Sequence, residues 1–195
     1  MSEFKIWFTI GLEHILDVSG YDHILFVTLL VLGYHFRQWR KLLVLISAFT
    51  IGHSISLTLS AASLLNFPQV IIEFLIALSI LITVIYQLIN YKKTESKNAL
   101  FLIGVVIFFG LIHGLGFSYL LKSMISKEEA IVWPLLYFNL GLEVGQLVIV
   151  LIVVVFSLLL ASVFNHSHNA YKPITLCIIL FVALKITLER FLQFF

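Results

Sequence analysis

Five ionisable side chains lie within sixteen residues of otherwise apolar sequence, Gly11-Leu-Glu-His-Ile-Leu-Asp-Val-Ser-Gly-Tyr-Asp-His-Ile-Leu-Phe26: they are Glu13, His14, Asp17, Asp22 and His23. An ionisable group inside hydrocarbon costs roughly 3 kcal/mol on insertion scales. Five of them in one place call for a common partner, and a divalent cation is the natural one. Imidazole and carboxylate are ligands of Ni²⁺, Co²⁺, Zn²⁺, Fe²⁺ and Mn²⁺. The plainer reading of the same stretch is a wet interfacial loop with a few polar helix contacts.

Further polar residues are scattered singly through the apolar sequence that follows. His53 stands in Phe-Thr-Ile-Gly-His-Ser54, Glu73 near the start of another run, and His113 in Gly-Leu-Ile-His-Gly-Leu-Gly116. Glu143 shares a helix face with Asn139 and Gln146 through i,i+4 and i,i+3 spacing. His14, Asp22, His23, His53, His113, Glu73 and Glu143 form the candidate metal-ligand set, with Asp17, Ser54, Asn139 and Gln146 as supporting groups around it. Each has a structural alternative. A lone His in an apolar helix can be a hydrogen-bonded packing residue, and Glu143, Asn139 and Gln146 can bind helix to helix through their polar groups. Thr50, Ser54, Ser56 and Thr58 suit hydrogen bonds to carbonyls of their own helix, and Gly110, Gly114 and Gly116 suit close helix packing. Lys185 and Glu189 make a structural i,i+4 pair. His35 belongs to a basic rim, and His166 and His168 to a solvated loop.

The elements that must position these residues are membrane helices. The chain is 61% hydrophobic and 11% charged, against about 25% charged in soluble domains, and its mean hydropathy is +1.10. It reads as one all-α, polytopic membrane domain over residues 1–195, with the lipid bilayer as its main partner and a homo-oligomer left open. The net charge of +2 is confined to short loops and gives no sign of a nucleic-acid partner. The single cysteine, Cys177, excludes a disulfide framework and a Cys-based zinc ribbon. Two methionines make no copper(I) path. The N-terminal apolar stretch, interrupted by Glu13, His14 and Asp17, does not read as a secretory signal.

Phe4 to Val18 is apolar but short of a full crossing, at about 22 Å against a hydrocarbon core of about 30 Å. Ser19-Gly20 breaks it, and Tyr21 to Phe36 restarts it, which predicts a discontinuous or re-entrant helix of the kind at which transporters place ion sites. Further spans are expected over Leu42 to Leu65, Val70 to Asn90, Ala99 to Leu121, Ala130 to Phe164 and Ile174 to Leu192. The fifth of the six spans, at roughly 35 residues, is longer than a crossing needs and is expected to be tilted, or bent near Pro134 and Gly141. The expectation is six transmembrane helices plus a short N-terminal re-entrant or seventh helix, with a broken fifth. Positive residues at 37–41 and 92–97 place those loops in the cytoplasm, so Asp22, His23, Glu73 and His113 fall in the outer half of the membrane.

In order along the chain, His14, Gly20-Tyr-Asp-His-Ile-Leu-Phe26, Phe49-Thr-Ile-Gly-His-Ser54, Phe109-Gly-Leu-Ile-His-Gly-Leu-Gly-Phe117 and Phe138-Asn-Leu-Gly-Leu-Glu-Val-Gly-Gln146 resemble the HupE/UreJ family of small bacterial inner-membrane proteins. In the family pattern five residues separate the His from Asp-His, whereas seven separate His14 from Asp22 here. The resemblance implies a nickel or cobalt permease associated with hydrogenase or urease maturation, located in the inner membrane. Two other classes stay open on the residues alone. One is an intramembrane zinc hydrolase acting on a lipid amide or ester, with Glu73 or Glu143 as general base. The other is a metal-binding accessory protein or sensor.

Overall fold

The computed structural model describes residues 2–34, 38–91, 99–124, 131–163 and 168–195. These form seven helices: α1 Glu3–Leu16, α2 Asp22–Leu32, α3 Trp39–Ala61, α4 Gln69–Asn90, α5 Ala99–Met124, α6 Val132–Val163 and α7 His168–Leu192. No strand occurs among the described residues. Four helices, α3 to α6, are long and apolar enough to cross a membrane. The outer surface of the bundle is itself apolar, with Ile82, Leu151, Ile152, Phe156 and Phe181 all more than half exposed. A soluble monomer rarely presents such a continuous apolar surface, and a lipid-facing bundle must.

The break in the first apolar stretch falls where Ser19 and Gly20 place it, and the chemistry of the turn is local. Asp17 leaves the helix with extended backbone. Its carboxylate accepts the Ser19 N–H at 2.8 Å and its carbonyl accepts the Gly20 N–H, an Asx-type turn that competes with the helix ladder. At the far end of α3, Ser63 takes a left-handed φ of 59° and the Leu64 N–H reaches back to the Leu59 carbonyl. That left-handed cap ends the helix at Ala61, short of the expected Leu65.

The long apolar run is not broken over its described residues, 131–163. It is one continuous helix, α6, of 32 residues. Pro134 sits in its first turn, where the missing N–H had no intrahelical partner to lose. Gly141 and Gly145 are there for packing, not for bending. A Cβ on Gly141 would lie 2.0 Å from the Phe8 carbonyl oxygen, and one on Gly145 would lie 2.1 Å from an Ile15 methyl. The same close approach joins α3 to α5, where a Cβ on Gly52 would meet the Ile107 carbonyl oxygen at 2.2 Å and one on Gly110 the Phe49 carbonyl oxygen at 2.3 Å. Small residues four apart let membrane helices approach to backbone contact. These two pairs, α3 with α5 and α1 with α6, are the most extensive packings in the fold.

The contacts also fix direction. Residue numbers rise together between α1 and α6 (Phe8 by Gly141, Ile15 by Gly145) and between α3 and α5 (Phe49 by Gly110, His53 by Gly114). Phe74 packs on Phe191, which sets the start of α4 against the end of α7. Hence α1, α2, α4 and α6 run one way and α3, α5 and α7 the other. As α1 and α2 share a direction and are joined by five residues, they are two halves of one interrupted helix. Fourteen residues of α1 reach only about 21 Å and cannot cross alone. α2 is the hub. It touches α1, α3, α4, α6 and α7 and buries Phe26, Val27 and Leu29 to Leu32, as a helix apolar on nearly all sides beyond its first turn must. Gln87 of α4 donates to the Leu29 carbonyl at 2.6 Å and so fixes the far end of α2.

A candidate metal centre at the helix break

Four of the sequence-selected histidines meet at the interruption. His14 comes from the last turn of α1, His23 from the first turn of α2, His53 from α3 and His113 from α5. Ring centroids are 4.8 Å apart for His14 and His23, 5.3 Å for His23 and His113, and 6.1 Å for both His14–His53 and His23–His53. His23 is 5% exposed, His53 0% and His113 1%. His53 and His113 each lie about 21 Å along their helices from the first residue, so the cluster sits well inside the bundle. The seven-residue spacing between His14 and Asp22 does not take His14 out of it.

The polar accounting at this cluster is unusual. Buried nitrogens are nearly always hydrogen-bonded, yet His14 Nε2, both ring nitrogens of His23, both of His53, and His113 Nε2 have no hydrogen-bond partner. His113 Nδ1 lies 2.8 Å from the Phe109 carbonyl oxygen. A carbonyl can only accept, so Nδ1 carries the hydrogen and Nε2 presents a lone pair to the cluster, the arrangement that orients metal-binding imidazoles. Asp22 supplies the negative charge. Its Oδ1 accepts the His23 backbone N–H at 2.9 Å and lies 3.1 Å from His23 Nδ1, close but not aligned for a hydrogen bond. Aromatic rings wall the site: Phe117 is 4.1 Å from His14, Phe138 stacks 6.4 Å from His53, and Phe49 and Phe26 flank His113 at 5.1 and 5.5 Å.

By donor type and ring spacing these residues suit a transition-metal ion. Imidazole nitrogens bind such ions at about 2.0–2.1 Å, which places ring centroids about 5 Å from one another around a single ion. The observed 4.8, 5.3 and 6.1 Å are of that size. As the rings stand, no three His, Cys, Asp or Glu donors among the described residues converge on one point, so ligation requires the rings to turn within their aromatic walls.

The remaining candidates are placed elsewhere. Glu73 has both oxygens engaged, one by Arg190 at 2.5 Å and one by Gln69 Nε2 at 2.8 Å. Glu143 accepts from Ser47 at 2.8 Å, and Gln146 accepts from Thr50 at 2.9 Å. These two bonds tie α6 to α3 one to two turns from His53, the interhelical role open to them from the start. Asn139 donates to the Leu135 carbonyl of its own helix while its Oδ1 stays unpartnered. Ser54 donates to Thr50, and Thr58 to Ser54. Asp17 is spent on the turn at the break, and Glu13 is exposed. Lys185 and Glu189 pair at 3.6 Å as expected. His35, His166 and the 92–97 loop lie outside the described residues. Sequence reasoning missed Arg190, the basic side chain paired with Glu73, and the role of four phenylalanines as walls.

An apolar-surfaced helical bundle that gathers four imidazoles, each with an unpartnered ring nitrogen, and a carboxylate at an interrupted helix is a polytopic membrane protein with a polar centre enclosed by its helices. The chain belongs to the HupE/UreJ family: the family described as HupE / UreJ protein matches residues 1–192, nearly its full length. No curated protein and no solved structure matches it.

Proposed function

We propose that the protein carries nickel or cobalt ions across the bacterial inner membrane, with His14, Asp22, His23, His53 and His113 as the groups that receive the ion. The observation that carries this reading is the set of unpartnered, buried ring nitrogens contributed by four helices to one cluster. The family is linked to nickel and cobalt handling and is not a known enzyme family. The donor set agrees, because imidazole-rich sites favour nickel, cobalt, copper and zinc over magnesium or calcium.

In this reading the interrupted helix α1–α2 is one crossing and α3 to α7 are five more. The ion sheds water onto Asp22 and His23 and passes to His53 and His113. With a single carboxylate beside four imidazoles the site has little net negative charge, which suits an ion that must also leave. Nothing in the geometry favours a hydrolase. Glu143 and Glu73, the two candidate bases, are engaged by Ser47 and by Arg190, and Ser54 turns to its own helix.

The test is metal content and flux on one preparation. Purified protein should contain nickel or cobalt by elemental analysis, and proteoliposomes should accumulate ⁶³Ni. His53→Ala should remove most of both while the protein still inserts and purifies as a folded species. Full metal retention in that variant would overturn the assignment of the site. Bound metal with no flux in the unmutated protein would leave an accessory role instead.

A further inference from the structure

Beside the cluster, on the side where α4 starts and α7 ends, is a cavity of about 140 Å³. Ser19, Tyr21, Asp22, Glu73, Ala77 and Arg190 are among the residues that line it. This is room for several waters. Asp22 is the only one of the proposed receiving groups that lines it, so it stands on the boundary between cavity and cluster. Directly behind its carboxylate is His23, 5% exposed and with neither ring nitrogen hydrogen-bonded. A second carboxylate, Glu73, faces the same space, and its partner is a guanidinium from the far end of the chain. The side chains of Asp22, Glu73 and Arg190 are 29%, 26% and 39% exposed, so all three are wetted but not free in solvent.

We propose that this cavity is the port through which a hydrated divalent cation reaches the histidines, and that Arg190 is a tethered counter-cation which the incoming ion displaces from Glu73. The inference rests on the functional reading above and names how its site is loaded. Two carboxylates lining one concave space, with Ile76, Ala77 and Ile186 on its wall, focus the field on cations and raise their local concentration. Left unopposed, that field would hold any cation. The Arg190 guanidinium neutralises half of it and must be outcompeted, which a divalent ion does better than a monovalent one. A partly exposed ion pair contributes little to stability, so its placement in the cavity that reaches Asp22 calls for another role. Glu73 and Arg190 thus set how fast the ion arrives, and the imidazoles set how it is held.

The experiment is stopped-flow mixing of Co²⁺ with the full-length protein in detergent, following the visible cobalt band that imidazole ligation produces. Glu73→Gln, nearly isosteric and still able to accept from Gln69, should slow association roughly tenfold, the low end of electrostatic focusing. Arg190→Gln should speed it several-fold. The position and amplitude of the band, which report the ligands, should match the unmutated protein in both. Opposite signs cannot arise from general damage to the fold. Rates within twofold of the unmutated protein in either variant, or a change of the same sign in both, would overturn the port while leaving the histidine site intact. No cobalt band in the unmutated protein would overturn the functional reading and the port together.

Discussion

Gly110→Ala tests whether helix contact, and not only ligand identity, makes the site. A Cβ at Gly110 would lie 2.3 Å from the Phe49 carbonyl oxygen and 3.1 Å from the His53 backbone nitrogen. An ordinary carbon-to-carbonyl contact is about 3.3 Å, so α3 and α5 must part locally by about 1 Å. The segment pushed away carries Phe49, which packs on His113, and His53 itself. Metal–ligand distances tolerate only about 0.2 Å, so His53 and His113 should no longer serve one ion well. The expected loss is roughly 10–100-fold in nickel affinity, the range for groups that support a metal site without touching the ion. The overpacking itself should cost about 1–3 kcal/mol. Gly104→Ala is the control, because nothing lies within 4 Å of its added methyl. It should leave nickel binding unchanged and gain up to about 1 kcal/mol of helix propensity. Elemental analysis, ⁶³Ni uptake and thermal unfolding in detergent give the three readouts. Full nickel content and uptake in Gly110→Ala, or equal damage from Gly104→Ala, would refute the reasoning.

Glu143→Gln should keep nickel content within about twofold, because the amide oxygen still accepts from Ser47 and the lost charge-assisted bond is remote from the ion; a tenfold loss on elemental analysis would bring Glu143 back as a ligand. Gln146→Leu should lower thermal stability by about 0.6–1.7 kcal/mol, the measured span for hydrogen bonds between membrane helices, with nickel content unchanged; loss of nickel without loss of stability would contradict the interhelical role drawn from its bond to Thr50. In intact cells a membrane-impermeant amine reagent should fail to label Lys92 and Lys93, as the positive-inside rule requires for that loop; labelling from outside would reverse the orientation and put the Glu73–Arg190 port on the cytoplasmic face.

Residue type made the cluster legible in the sequence: His14, Asp22, His23, His53 and His113 are costly in an apolar chain, and each stood out on that ground. The same reasoning also selected Glu73 and Glu143, whose carboxylates meet Arg190 and Ser47. Spacing correctly puts Glu143 and Gln146 on one helix face, but a periodicity of 3.6 does not say which neighbour that face meets, and the neighbour is the hydroxyl row Ser47 and Thr50. The partner of Glu73 lies near the C-terminus, so no local pattern could reveal it. The aromatic walls were invisible for the opposite reason. Phe26, Phe49, Phe117 and Phe138 stand at the ends of the motif segments, but in a chain with 18 phenylalanines nothing says that they wall the site until the helices are packed. The break expected in the long apolar run failed because Pro134 was read without its position in the first turn, and because the glycines contact α1 where bending was expected.

The interruption between α1 and α2 explains why the site exists at all. In an uninterrupted helix His14 and His23, nine residues apart, would stand about 13 Å apart along the axis and on opposite faces, since nine steps of about 100° come to two and a half turns. Their rings are in fact 4.8 Å apart. The turn at 17–21 removes both obstacles: it lets the chain loop outward, with Asp17, Val18 and Ser19 exposed, and restart the next helix with Asp22 and His23 facing the end of α1. The number of residues in the turn therefore matters less than its ability to leave the helix. What holds the two halves in register is not the loop but their separate anchors. Gly11, Gly141 and Gly145 lock α1 to α6, while Gln87 and the bundle core lock α2.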